Sequence, residues 1–540
     1  MKKFIQKMKD PAQRKLFYAI FGGKMLGVGL CFLVMMGVSS YLSSTSKVHA
    51  QTAPAAAPAM ATATAAPAAA SGSAPAAAAA SGTAAPAAAS GTAAPAPAPD
   101  PLYASPINTM WVLVTAFLVF FMQAGFMFLE AGFARTRETV NVLLEGIVDT
   151  CLCGLLFYAW GFAWMFGHGN GLIGWGDAAG AHSWYFLQNL PDTYESTGVA
   201  TLAIFLFQFA FADTCSTITS GAMLGRTGFW GDLYYSFGVS GFIYPIFGHW
   251  AWGPDGWLNN IPFWKAAPFH DFAGSTIVHT IGGTIALAGA IALGPRLGRK
   301  FKRDGGGPMP GHDMTVASVG AIILWFGWYG FNPGSTLSAM DIQGVARVAV
   351  NTTLAACAGG LAALFFVYPR SKKWDCGATL NGLLAGLVAI TCPCYWVSPT
   401  GAIALGAVAG VVVILATDLL EYLRIDDPCG AWPVHGAAGM WGTYSLGLFA
   451  TGQFGASTTT GADNSAPVAG LFYGGGVNQL VAQIIGNTSI AVGVFVVSMI
   501  LMYAVKATGT LRISKEGEEE GLDIHEHGGL AYPEQVTRSN

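Results

Sequence analysis

The 540-residue sequence is 53% hydrophobic and only 10% charged, with a formal net charge of −3. Soluble domains carry roughly 25% charged residues, so this chain has too few to cover a water-facing surface. The composition therefore excludes a soluble enzyme, a disordered protein and a coiled coil. The absence of a positive excess argues against a nucleic-acid binder.

The first 50 residues have the order of a secretory signal peptide. Seven basic side chains lie within residues 1–24, an apolar run follows at about 25–42, and Val48-His49-Ala50 forms a small-x-small cleavage site before Gln51. We predict that residues 1–50 are a signal peptide. An uncleaved signal anchor is the alternative.

Residues 51–104 are predicted to be an Ala/Pro-rich extracytoplasmic linker. Up to residue 99 the segment consists almost wholly of Ala, Pro, Ser, Gly and Thr, and it carries no charge. It has almost no large apolar side chain to bury, so little offsets the entropy that would be lost on ordering it.

The rest of the chain is rich in apolar runs long enough to cross a membrane, which takes about 20 residues in a helix. Glycine, at 71 residues, is about twice as frequent as usual, which favours closely packed membrane helices. We predict an all-α polytopic membrane domain over residues 105–508. Its eleven spans are expected near 109–133, 142–166, 198–222, 231–253, 274–294, 314–332, 345–368, 377–396, 401–421, 433–451 and 480–506.

The distribution of Lys and Arg predicts the orientation. In the loops after even-numbered spans, Lys265 is the one basic residue. Arg347, just inside the start of span seven, is the one further exception on that side. Because positively charged loops stay in the cytoplasm, we expect a multi-pass protein of the inner (plasma) membrane. Its mature N-terminus would lie outside and its tail, residues 509–540, inside. The cations after odd-numbered spans are Arg135, Arg137, Arg226, Arg296, Arg299, Lys300, Lys302, Arg303, Arg370, Lys372, Lys373 and Arg424.

The motif Asp-x-x-Gly-x-x-x-Val-His-x-x-x-Gly occurs twice, with an offset of 156 residues. It runs from Asp271 to Gly283 at the start of span five and from Asp427 to Gly439 at the start of span ten. Since each half then holds five spans, the halves must run in opposite directions. We predict two inverted five-helix repeats plus one extra helix, with a permeation site between the repeats near the bilayer midplane.

His279 and His435 occupy matching places in the two copies of this motif. An ionisable residue inside a span is a functional candidate by default, and two facing imidazoles can share a proton, because one nitrogen donates while the other accepts. We favour such a pair over two separate structural histidines. A metal site would need a third ligand, and no Cys, Asp or Glu has suitable spacing, so neither a metal nor a cofactor is predicted.

Asp271 lies eight residues before His279, where span five begins. Its carboxylate could bind a cation or cap the helix by accepting backbone N–H bonds, and we favour the cap. Among the aromatic residues, Phe207 and Phe211 are four apart and share a helix face. From the residues alone, Phe331 would be core and Trp252 interfacial. The alternative is a cation–π vestibule at Trp252, with the Ser335 hydroxyl as an acceptor.

Several of these stretches together resemble the ammonium transporter (Amt/Rh) family, in order from about residue 105 to 535. The motifs that carry the resemblance are Phe207-Gln-Phe-Ala-Phe211, Tyr244-Pro-Ile-Phe-Gly-His-Trp-Ala-Trp252, Asp271-Phe-Ala-Gly-Ser-Thr-Ile-Val-His279, Gly327-Trp-Tyr-Gly-Phe331-Asn-Pro-Gly-Ser335, Asp427-Pro-Cys-Gly-Ala-Trp-Pro-Val-His435 and Gly521-Leu-Asp-Ile-His-Glu-His-Gly528.

The resemblance implies a homotrimeric ammonium transporter, not an enzyme, with one pore per subunit and a PII signalling protein as partner at the cytoplasmic face. It assigns residues to an outer recruiting site, a vestibule wall, a phenyl gate, a histidine pair and a buried aspartate. These are, in that order, Trp252 and Ser335; Phe207; Phe211 and Phe331; His279 and His435; and Asp271.

In that mechanism ammonium is recruited outside, loses its proton and crosses as ammonia, because a bare ion in an apolar pore pays a large desolvation cost. The alternatives are an ammonium sensor with the same pore, a neutral Rh-like gas channel and a membrane metalloenzyme built on the histidine pair. Asp213, Gly225 and Gly430 depart from the family pattern, and Asp213 in particular raises the question of selectivity.

Overall fold

The computed structural model describes residues 101–455 and 467–533. The predicted signal peptide, nearly all of the predicted linker and the last seven residues of the tail lie outside the described residues.

Most of the described chain is helical. The helices of the first half are α1 (Pro101–Phe120), α2 (Met122–Phe133), α3 (Thr139–Leu156), α4 (Phe162–Phe166), α5 (Thr201–Gly221), α6 (Phe229–Gly238), α7 (Tyr244–Trp252) and α8 (Ile281–Leu293). Those of the second half are α9 (Met314–Phe331), α10 (Ile342–Ser371), α11 (Cys376–Thr391), α12 (Pro399–Leu423), α13 (Ala438–Phe449), α14 (Asn478–Ala507), α15 (Lys515–Glu520) and α16 (Leu522–His527).

Four π-helical turns interrupt or open these helices, at Phe157–Gly161, Val239–Ile243, Ser275–Thr280 and Trp432–Ala437. Short 3₁₀ turns lie at Thr136–Glu138, Tyr185–Leu187, Glu195–Thr197, Trp257–Asn260, Lys302–Asp304, Pro333–Thr336 and Leu471–Tyr473. Strands β1 (His168–Gly169) and β2 (Gly174–Gly176) form a small antiparallel pair, in which His168 faces Gly176.

Within the described residues, eight helical segments are long and apolar enough to cross a membrane. They coincide with predicted spans one, two, three, five, six, seven, nine and eleven. Helical residues also occupy the other three predicted spans, at 229–252, 376–391 and 432–449. The chain is therefore a helical, multi-pass membrane protein, and the count of eleven crossings stays a prediction.

Side-chain caps set where several helices of the second half begin. The Asp313, Asp341 and Asp375 carboxylates accept backbone N–H bonds at 2.9 Å in the first turns of α9, α10 and α11. The hydroxyl of Ser398 accepts the Gly401 N–H at 3.1 Å before α12. Each cap satisfies a backbone donor that the helix itself leaves free.

Glycines bring α10, α11 and α12 into backbone contact. A methyl group on Gly359 would lie 2.4 Å from the carbonyl oxygen of Gly382, and one on Gly410 would lie 2.2 Å from that of Gly359. Side chains cannot fit at such distances, so only glycine permits this approach. Small residues at helix contacts are typical of membrane bundles, and this packing accounts for part of the glycine excess.

The connecting segments gather at two ends of the bundle. At one end, the loops after predicted spans three, five and nine meet: Arg226 donates to the Asp426 carbonyl at 2.7 Å, and Arg296 donates to the Asp426 carboxylate. At the other end, Trp257 N–H donates to Gly171 O at 3.1 Å, and Val397 pairs with Ala450. This separation is what alternating membrane crossings require.

The C-terminal tail packs on the end of the bundle that carries Arg226 and Arg296. Arg512 donates to the Leu293 carbonyl at 2.8 Å and to Glu518 at 2.8 Å. Further along, Asp523 accepts the Asn141 N–H at 2.9 Å, and the His527 ring packs edge-on against Phe229. The tail thus contacts loops and helix ends throughout 510–527.

Candidate functional site

The two copies of the repeated motif open their helices in the same way. The Asp271 carboxylate accepts three backbone N–H groups of the following turn at 2.9–3.0 Å. The Asp427 carboxylate accepts three at 2.9 Å. Gly274 and Gly430 then adopt positive φ values of 113° and 75°, where glycine is favoured. Gly430 therefore meets a backbone requirement of the repeat.

The last glycine of each motif lets the two motif helices cross in contact. A methyl group on Gly283 would lie 2.2 Å from the backbone nitrogen of Gly436, next to His435. One on Gly439 would lie 2.6 Å from the carbonyl oxygen of Ser275, in the turn that holds His279. This reciprocal contact brings the two histidines together.

His279 and His435 face each other through their Nδ1 atoms, which are 3.1 Å apart. His279 is fully buried and His435 is 6% exposed. At this distance one Nδ1 must carry the proton and the other must accept it. Nε2 of His279 is buried and has no hydrogen-bond partner among the described residues.

Aromatic rings are stacked above the histidine pair. The Phe211 and Phe331 centroids are 4.0 Å apart with planes at 24°, and Phe331 lies 5.4 Å from the His279 ring at the same angle. Phe207 contacts Phe211 at 4.7 Å. The structure thus places Phe207, Phe211, Phe331 and His279 in one continuous column.

Trp252 and Ser335 lie beside this column. The Trp252 ring is 6.1 Å from Phe211, and its indole N–H donates to the Asp271 carbonyl at 2.8 Å. The Ser335 hydroxyl donates to the Phe331 carbonyl at 2.8 Å. Because that hydrogen is already used, the Ser335 oxygen can only accept from a further ligand.

Sequence reasoning missed Trp328. Its ring stacks on His279 at 5.2 Å with planes at 22°, and its indole N–H donates to Thr391 at 2.9 Å. Trp328 precedes Phe331 by three residues, and this spacing places both on one helix face. The spacing from Phe331 was the signal in the sequence that could have identified Trp328.

Asp213 does not join the aromatic column, although it follows Phe211 by two residues. Two residues correspond to about 200° around a helix. The Asp213 side chain is instead fully buried near Gln123 of α2 and Thr150 of α3. Gly225, which also departs from the family pattern, has a φ of 77°. A methyl group there would lie 2.6 Å from the Glu138 carboxylate. An acidic side chain at this position would meet like charge.

Comparison with known proteins decides the family. The model of the Ammonium Transporter Family matches residues 110–532. The chain is 43% identical over 439 residues to ammonium transporter Amt2 of Archaeoglobus fulgidus, covering 80% of this chain and 89% of the relative. The chain belongs to the ammonium transporter family.

Other members of the ammonium transporter family give the same picture. Ammonium transporter 1 member 3 of Solanum lycopersicum is 38% identical, over 80% of this chain and 95% of the relative. Among solved structures, a Sensor Amt Protein aligns with a TM-score of 0.68 at 36% identity, covering 78% of this chain and 98% of the other. Mep2 of Saccharomyces cerevisiae aligns with a TM-score of 0.66 at 28% identity, over 76% and 88%.

Proposed function

We propose that this protein transports ammonium across the inner membrane through the column that runs from Trp252, past the phenyl rings, to His279 and His435. The observation that carries the proposal is the Nδ1–Nδ1 contact of 3.1 Å directly beneath the stacked Phe331 ring. Structural histidines would each bond to their own surroundings, whereas these bond to each other inside an aromatic wall.

Recruitment of the cation falls to Trp252 and Ser335. An indole face attracts a cation through its quadrupole, worth roughly 0.5–2 kcal/mol. The oxygen of Ser335, whose hydrogen is donated to Phe331, supplies a lone pair for an N–H group. Phe207 lines this vestibule, and the Asp271 carboxylate fixes the start of the helix that carries His279.

The phenyl gate favours ammonia over hydrated ions. Phe211 and Phe331 are both fully buried and lie 4.0 Å apart, so a hydrated cation would have to lose its water to pass. Ammonium can lose a proton and cross as ammonia, whereas potassium cannot. The histidine pair then offers nitrogen atoms that accept or donate hydrogen bonds to ammonia.

The arrangement in the membrane follows from the same family. We infer eleven crossings, two inverted five-helix repeats, an outside N-terminus and a cytoplasmic tail. The reciprocal contacts of Gly283 and Gly439 and the gathering of basic loops at one end support this arrangement. A homotrimer, with PII as a cytoplasmic partner, is proposed on family resemblance.

Uptake by the purified full-length protein in liposomes tests the proposal. An ammonium pulse should produce transport that protein-free liposomes lack and that an equal potassium pulse does not. Trp252→Leu should raise the half-saturating ammonium concentration, because it removes the cation–π contact, while Ser335→Ala should have a smaller effect. A wild-type protein that moves no ammonium, with its fold verified by thermal unfolding, would contradict the proposal.

A further inference from the structure

A small cavity lies next to His435 on the side of the basic loops. It has a volume of about 20 Å³, which is enough for one water-sized molecule. Its wall includes His435, Phe126, Ile218 and Asn381, together with Cys429 to Ala431 of the loop before the second motif helix. Ammonia leaving the histidine pair would enter this space.

One wall of the cavity is a carboxylate, Glu130, that is only 5% exposed. Glu130 follows Phe126 by four residues on α2, so both lie on one helix face, and the Phe126 ring is 6.3 Å from the His435 ring. The Ser220 hydroxyl reaches both carboxylate oxygens, at 3.2 and 3.0 Å. No Lys, Arg or His side chain of the described residues forms an ion pair with Glu130.

The other titratable groups near Glu130 are acidic or neutral. Asp232 of α6 and Asp427 before the second motif helix are close enough for their charges to act on it, as is Glu145 of α3. Cys429 lines the same cavity. A carboxyl group among these neighbours has no cationic partner, and an ionisable group inside a span is a functional candidate by default.

We propose that Glu130 forms an inner binding site for the transported nitrogen. Its carboxyl oxygens accept N–H bonds from the ammonia or ammonium that leaves His435, and Ser220 holds the carboxyl group against the cavity. This inference rests on the proposed function, because it assumes that ammonia reaches His435. The inner end of the pore would then have a polar acceptor, Glu130, just as the outer end has Ser335.

Glu130→Gln tests the proposal, because it keeps the shape of the side chain and replaces one carboxyl oxygen with an amide nitrogen, which cannot accept an N–H bond. Ammonium uptake in liposomes should fall roughly tenfold, the loss expected for one hydrogen bond. Glu130→Asp, which keeps the carboxylate, should recover part of the rate. The control is Asp149→Asn: Asp149 of α3 is also buried but does not line the cavity, and the rate should stay near that of wild type.

Gly221→Ala provides a second test that does not depend on replacing a buried carboxylate. The added methyl group would enter the cavity at 3.4–3.6 Å from Cys429, Ala431 and Glu130. These are ordinary contacts, so the protein should fold while the cavity loses its space. Uptake should fall at unchanged thermal stability. Wild-type uptake in folded Gly221→Ala or Glu130→Gln would overturn the proposal, as would equal losses in Glu130→Gln and Asp149→Asn. A wild-type protein without any uptake would instead refute the proposed function.

Discussion

Asp426 shows how a single buried charge ties the basic loops together. Arg296 donates to its carboxylate at 2.8 and 3.0 Å, and Arg299 donates at 3.2 Å. Burial opposes ionisation of Asp426, but the hydrogen bond and charge of Arg296 and the charge of Arg226 outweigh it and hold its pKa well below the usual range. The carboxylate is therefore ionised throughout the neutral range.

Asp426→Asn should destabilise the protein, because it leaves buried guanidinium groups without their counter-charge. Breaking a buried ion pair typically costs about 3–5 kcal/mol. Since the pKa is lowered on folding, this stabilisation is present above about pH 4 and is lost as the pH falls further. Thermal unfolding in detergent measures it. The control is Asp304→Asn, whose exposed pair with Arg424 should contribute little; equal melting of wild type and Asp426→Asn at pH 7 would contradict the account.

Other residues divide into those that sequence could place and those that it could not. The constant offset of 156 residues was enough to predict that His279 and His435 meet. Trp328 and Glu130 were missed, because an aromatic residue or a carboxylate in an apolar run carries no mark of the face it occupies. Asp213 looked close to the gate in sequence, and only the rotation of its helix shows that it faces α2 and α3.

At the scale of elements, the tail contains α15 and α16 and contacts the bundle through Arg512, Glu518 and Asp523. Truncation after Lys506 should lower or deregulate ammonium uptake, because it removes the bonds to Leu293, Leu297 and Asn141. Truncation after Pro533 is the matched control, since it retains all three. Uptake in liposomes, with and without PII, measures the effect. A protein ending at Lys506 with the rate and regulation of the full chain would exclude this role.

Hydropathy predicted the long helices well, because a span must be apolar wherever it meets lipid. It could not predict the π turns at Ser275–Thr280 and Trp432–Ala437, which carry His279 and His435 just after the capped starts of the two motif helices. The segment at 229–252 is not among the eight segments that are apolar enough to cross a membrane. Its polar residues Asp232, Ser236 and His249 lower its hydropathy, and they are buried inside the bundle rather than exposed to lipid.

For the whole molecule, orientation is the prediction that rests most on loop charge. Gly307 lies in the basic loop after predicted span five, with open space around it and no positive φ, so Gly307→Cys should be tolerated. In a background without Cys376, an impermeant thiol reagent added outside intact cells should leave Gly307→Cys unlabelled. Ala266→Cys, in the loop after predicted span four, should react. The reverse pattern would invert the topology.

The central claim is that the facing histidines make the pore selective for ammonium, and currents from single-histidine variants test it most directly. Ammonium-driven and potassium-driven currents would be recorded in liposomes for wild type, His279→Ala and His435→Ala. Both variants should lose most of the ammonium response or gain a potassium leak, because each opens space for water and leaves the partner Nδ1 without its bond of 3.1 Å. Wild-type responses to both ions in both folded variants would contradict the account.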